Sequence, residues 1–224
     1  MIATRELGRT LYSVCDELMQ NYAVDQWWPA RSRFEVMVGA ILVQNTRWAN
    51  VDAAIKVLRA RQCLTPQAVQ ASPVERLQVM VRSAGCQSVK ARRLRSLALA
   101  IDEFGGLRRM ACTDTEPLRA MLLSVHGIGP ETADAILCFA FDRPVFVADQ
   151  YARRWLQRMG FISARASKNY THSQRSVNAL LNGAGVSHQA LHAGIVLHGQ
   201  ARCGQLPQCL DCFLREICKY PYKT

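Results

Sequence analysis

Residues 124–137 read SVHGIGPETADAIL, a tight turn carrying two glycines that runs without a break into a helix. Gly127 and Gly129 permit backbone angles and close approaches that a side chain forbids. The helix that follows points its unbonded N–H groups and the positive end of its dipole back at the turn. Such an element binds anions, and a DNA phosphate fits it, with Gly127, Gly129 and Thr132 as the candidate contacts. An ordinary helix–helix connection needs only one glycine, so Gly-x-Gly alone discriminates weakly. Between two helices of a strongly basic chain it gains weight. A lysine just past the turn would supply an amine nucleophile, but Pro130 and Glu131 stand there.

The surrounding periodicity is helical. FEVMVGAILVQ (34–44) is almost continuously apolar and reads as a buried helix. VDAAIKVLRA, VERLQVMVRSAG, VKARRLRSLALAIDEFGG and EPLRAMLLSV place apolar residues three and four apart, as do TADAILCFAF, DQYARRWLQRMG, QRSVNALLNGAG and HQALHAGIVLHGQAR beyond the turn. Pro66, Pro73, Gly85, Gly105, Gly106 and Pro117 punctuate the boundaries. No stretch alternates strictly, so the fold class is all-α. PVFVA (144–148) is a short β-leaning stretch, and ISARASKNYTHSQ (162–174), the most polar segment, reads as a loop.

A chain of 224 residues, half of them hydrophobic, buries a real core as one domain or two small ones. The formal charge is +11, from 28 Lys and Arg against 17 Asp and Glu. Arginine dominates the positive side and favours a polyanionic partner over a merely solvated surface. KARRLR (90–95) and RRWLQR (153–158) could line helix faces with guanidinium groups. No apolar run is long enough to span a bilayer, and MIATRELGRTLYSVCDEL reads as an amphipathic helix rather than a signal peptide. The expectation is an intracellular protein with no membrane association.

Five of the nine cysteines (Cys15, Cys63, Cys86, Cys112 and Cys138) are scattered and read as buried free thiols. Cys203, Cys209, Cys212 and Cys218 give C-x5-C-x2-C-x5-C. Four thiolates so close can surround one metal centre, and the spacing suits zinc or a [4Fe-4S] cluster. Two disulfides fit a reducing compartment poorly. Asp149, in PVFVADQYARRWLQR, stands where a helix begins and reads as its N-cap. A carboxylate held there is kept ionised and aimed, able to stabilise positive charge on a sugar or to activate water.

The hairpin (125–133), the Asp149 segment and the four-cysteine loop, in this order, resemble the endonuclease III superfamily of helix-hairpin-helix DNA glycosylases. The resemblance runs from about residue 30 to the end. It implies a six-helix barrel domain over residues 26–142, and a second domain from residues 1–25 and 143–224 whose loop, 203–218, carries a [4Fe-4S] cluster. DNA would lie across the groove between them. The first cysteine gap is five residues here, where the family usually has six. Asp149 matches the catalytic aspartate. Gln44 matches the residue that wedges into the duplex where a base is extruded, although it also reads as the polar end of a buried helix. Bifunctional members carry a Schiff-base lysine where this chain has Glu131. The resemblance therefore implies a monofunctional glycosylase, without AP-lyase activity, that leaves an abasic site. Whether Glu131 takes any part in catalysis is left open by the resemblance.

DQWWPARSRFE (25–35) and VQNTRWANV (43–51) hold three of the four tryptophans and resemble the 3-methyladenine DNA glycosylase branch. By position, Trp27, Trp28, Pro29 and Trp48 would sandwich the flipped base. An N-alkylated purine is cationic, so stacking on indoles favours it over the neutral base. Without the resemblance, Trp-Trp-Pro reads as a packing corner. The expected protein is a monomer, cytoplasmic and nucleoid-associated when bound, acting on damaged double-stranded DNA in base excision repair. Arg202, Arg215 and Lys219 are candidate phosphate contacts from the cysteine loop. The alternatives are a glycosylase for a mismatched or oxidised base and a non-catalytic DNA-binding iron–sulfur module. Strand cleavage through another lysine, such as Lys168, is a further reading.

Overall fold

The computed structural model describes the backbone of residues 2–221 and the side chains of residues 10–221, and no strand occurs among them. The chain divides into two compact units, Met1–Pro29 with Pro144–Thr224, and Ala30–Arg143.

The second unit holds α2 (Arg33–Leu42), α3 (Trp48–Ala60), α4 (Pro66–Ala71), α5 (Val74–Met80), α6 (Gln87–Glu103), α7 (Gly106–Cys112), α8 (Thr115–Ser124) and α9 (Pro130–Phe141); α1 is Ile2–Asn21. Every residue of α2 from Phe34 to Leu42 is buried, as an all-round apolar helix must be, and α2 packs on α9. Ser32 caps α2 by accepting from the Glu35 N–H at 3.2 Å. Glu35 is itself buried and ion-paired with Arg59 of α3. The helices α4 and α7, of six and seven residues, are too short to show a period. Their starts are chemical: Thr65 caps α4 with Pro66 at its first position, and α7 begins at Gly106 directly after its N-cap Gly105, both glycines with positive φ. Across the turn, Arg119 of α8 grips the fully buried Asp134 of α9 through Nε at 2.7 Å and Nη2 at 3.3 Å.

The first unit packs α1 and α10 (Gln150–Met159) on α13 (His188–Ala201), with α11 (Ala164–Ser167) and α12 (Tyr170–Leu181) alongside. Among the described side chains of α1, Leu11, Val14, Cys15 and Leu18 form a buried stripe, joined in the core by Trp155, Leu156 and Phe146. A Cβ at Gly194 of α13 would stand 2.8 Å from Leu18 Cβ, so glycine sets the closeness of α1 and α13. The polar stretch 162–174, read as a loop, is largely helical. Its polar residues are caps: Ser163 accepts from Ala166 N at 3.1 Å to start α11, and Asn169 accepts from His172 N at 3.0 Å to start α12. Cys15, Cys63 and Cys138 are buried as expected, but Cys86 and Cys112 are exposed. Burial pushes the Cys15 thiol up to about 11 and that of Cys138 up to about 12.

Candidate functional site

The hairpin joining α8 to α9 requires glycine at position 127, whereas neither backbone strain nor a close contact demands it at position 129. Gly127 has φ +87°, and a Cβ there would collide with the Arg93 side chain lying against it. Gly129 has an ordinary extended backbone, with φ −91° and ψ 178°. No atom lies within 4 Å of where its Cβ would be, so its approach is open. Pro130 takes the first helical position, where its missing N–H costs nothing, and Glu131 follows, exposed to solvent.

Gln44, in the turn after α2, is seated on this hairpin. Its Nε2 donates to Gly127 O at 3.2 Å and to Thr132 Oγ1 at 2.9 Å, while its Oε1 accepts from Arg93. Thr132, expected among the phosphate contacts, is buried, and its hydroxyl is turned inward to hold Gln44. The α6 cluster also departs from expectation. Lys90 is buried and donates to Leu42 O at 2.9 Å and Ala84 O at 2.7 Å, closing the carbonyl end of α2 just before Gln44. Burial lowers its pKa. Only Arg92 and Arg95 of that cluster are exposed.

Asp149 is the N-cap of α10: its Oδ1 accepts from Ala152 N at 2.7 Å. The other oxygen takes no hydrogen bond among the described residues, which leaves it available to a substrate or a water. Trp27 and Trp28 follow a 3-10 turn, Val24–Gln26, and both are half-buried, while Pro29 is exposed. The Trp27 ring stands edge-on to His192 at 6.2 Å. Its shielded Nε1 has no hydrogen-bond partner among the described residues. Trp48, the first residue of α3, is half-buried in the other unit.

The four cysteines of the C-terminal loop line one cavity together with Trp155, Arg158, His198 and Arg202. Among the described residues, no three His, Cys, Asp or Glu side chains converge as they would around a single ion. The arginines of RRWLQR, expected on an open face, turn largely inward. Arg158 donates to Cys203 Sγ at 3.2 Å, Cys203 O at 3.3 Å, Gly204 O at 2.6 Å and Gln205 O at 3.0 Å. Arg154 donates to Cys203 O at 3.2 Å. Arg153 bonds the Asp149 carbonyl at 3.4 Å. His198 sits between Tyr22 OH, 3.1 Å from its Nδ1, and Cys212 Sγ, 3.7 Å from its Nε2. Burial, helped by the Arg202 charge, pulls its pKa down to about 4, so the ring is neutral. Burial raises the Cys212 and Cys218 thiols. Of the loop's basic residues, Arg215 and Lys219 are exposed, and the Lys219 stem crosses Gly160 at the end of α10. No described helix is long and apolar enough to cross a membrane.

Helix–turn–helix geometry at 124–141, followed by an aspartate capping the next helix, defines the class: an all-helical protein carrying a hairpin suited to phosphate. Residues 38–180 match the model of the HhH-GPD superfamily base excision DNA repair protein, and the chain belongs to that superfamily. It is thereby a base excision DNA repair glycosylase of helix-hairpin-helix type, as the resemblance implied. It is 36% identical over 211 residues to "Putative DNA repair glycosylase MJ1434" of Methanocaldococcus jannaschii, covering 93% of this chain and 95% of that protein. It is similar to the structure of Helicobacter pylori 3-methyladenine DNA glycosylase (MagIII) bound to 1,N6-ethenoadenine, with TM-score 0.71 and 26% identity over 88% of this chain and 97% of the other. An endonuclease III–DNA complex shares the fold at TM-score 0.78 and 24% identity, covering 95% of each chain.

Proposed function

We propose that this glycosylase is monofunctional and hydrolyses N-alkylated purines, 3-methyladenine among them, from double-stranded DNA, leaving an abasic site. The observation that carries the reading is Glu131, exposed at the second position of α9, where an amine would be needed for Schiff-base chemistry. In the proposed reaction the C1′–N bond breaks, and its electron pair neutralises the cationic alkylated base as it leaves. A water oxygen bonds C1′ and gives up its proton. Asp149 acts through the oxygen not used for capping, stabilising the oxocarbenium-like sugar or orienting that water. A base that leaves this easily needs little acid assistance. Trp27, Trp28, Pro29 and Trp48 are the candidate base-stacking residues in this reading, with indole faces favouring the cationic purine. Gln44 serves as the duplex wedge, and the hairpin amides around Gly127 and Gly129 hold a phosphate.

Cys203, Cys209, Cys212 and Cys218 would hold a [4Fe-4S] cluster. Their fit rests on four thiols arranged around one cavity, with Arg158 donating to one sulfur and His198 close to another. When bound, the cluster would cross-link the loop through four iron–thiolate bonds and shape its basic surface, including Arg215.

The test is base release from methylated duplex DNA, with strand breaks scored before and after hot alkali. Free methylated purine with breaks only after alkali supports the reading, and scission without alkali refutes the monofunctional assignment. Absence of release from any methylated purine redirects the search to mismatched or oxidised bases, or to a binding role.

A further inference from the structure

The segment that delivers Asp149 is extended yet belongs to no sheet. Val145, Phe146, Val147 and Ala148 are all buried, so their peptide groups need partners that no neighbouring strand supplies. Two side chains from different helices each supply one such partner, with opposite polarity. Asn178 of α12 accepts the Phe146 N–H through Oδ1 at 2.9 Å. His192 of α13 bonds the Val147 carbonyl through Nδ1, also at 2.9 Å. A carbonyl only accepts, so Nδ1 carries the proton, which fixes the tautomer of this 4% exposed ring. Phe146 at 6.1 Å and Trp27 at 6.2 Å stand edge-on to it.

We propose that Asn178 and His192 are positioning residues that clamp consecutive peptide groups of the 145–148 segment and so set the direction of the Asp149 carboxylate, with His192 holding Trp27 to the same frame. The inference rests on the reading of Asp149 as the catalytic carboxylate. One Asp149 oxygen is committed to Ala152 N, so the aim of the other follows from the backbone torsions just upstream. Among the described residues, the Asn178 and His192 side chains hold those torsions from outside the segment by hydrogen bonds at Phe146 and Val147. Burial keeps His192 neutral against the pull of the Asp149 charge, so it orients without adding a cation.

The experiment compares wild type with His192→Leu, Asn178→Leu and His192→Asn, whose side-chain amide can donate to the Val147 carbonyl from nearly the same place. Single-turnover release from methylated duplex is expected to fall on the order of 10- to 100-fold in the two leucine variants, the scale for a misplaced catalytic group. Affinity for a duplex carrying a tetrahydrofuran abasic analogue is expected to stay unchanged, and His192→Asn to recover most of the rate. Hydrogen exchange of residues 144–153 is expected to quicken in both leucine variants, a readout that needs no excision. Full rate in the leucine variants, equal loss in His192→Asn, or unchanged exchange would overturn the proposal. Should one leucine variant fail to fold, the other tests the same clamp from its opposite end. Asp149→Asn separates the two readings: excision that survives it removes Asp149 from catalysis, whereas the exchange result judges the clamp alone.

Discussion

Replacing Arg119 by alanine probes what holds the two helices of the hairpin at their angle. Asp134 is fully buried in α9, and Arg119 reaches it from α8 with two hydrogen bonds, at 2.7 and 3.3 Å. The variant leaves a buried carboxylate without its guanidinium, a loss of about 3–5 kcal/mol, far more than an exposed ion pair contributes. For a chain of this size that corresponds to a melting temperature lower by roughly 6–20 °C. Replacing both partners, as Arg119→Met with Asp134→Leu, is expected to recover most of the stability, because an apolar pair has no desolvated charge to compensate. Thermal melting by circular dichroism measures both. Affinity for undamaged duplex DNA should fall for Arg119→Ala even at temperatures where it is folded, since the hairpin helices lose their brace. A melting temperature that corresponds to a change within about 0.5 kcal/mol, the range of ordinary surface substitutions, would refute the argument.

Gly194→Ala sets two effects against each other. Alanine gains about 1 kcal/mol of helix propensity, but its Cβ would stand 2.8 Å from Leu18 Cβ. Overpacking costs of about 1–3 kcal/mol should win, giving net destabilisation in urea titration. Glu131→Lys places an amine at the exposed start of α9. It is expected to yield a borohydride-trappable DNA adduct and scission without alkali, at a charge-reversal cost of about 1 kcal/mol at the helix N-terminus; absence of any adduct would show that position 131 does not reach the sugar. Cys212→Ser should lower iron per chain and the visible absorbance of the purified protein while Cys86→Ser leaves both intact, and equal iron in the two would remove the loop from metal binding.

Much of this architecture is written locally. The helical period, the Gly-x-Gly turn, the proline at the start of α9, the Asp149 cap and the crowding of four cysteines each involve residues within a turn or two of one another, and such interactions act wherever the chain goes. The caps at Ser163 and Asn169 were equally local, but a run of polar residues without apolar period disguised two helix starts as a loop. Long-range partners were not legible. KARRLR and RRWLQR look alike as charge, yet Lys90 is sealed beneath α2 and Arg158 wraps the cysteine loop 45 to 47 residues away. Asp134 offered a clue, a carboxylate inside an apolar helix, without naming Arg119 as its partner. Nothing around Phe146 and Val147 announced that Asn178 and His192 would complete their hydrogen bonds from 32 and 45 residues away. A buried polar group must find a partner, and sequence reveals the demand; which of many chemically equivalent donors meets it is settled only when packing brings one of them within 3 Å.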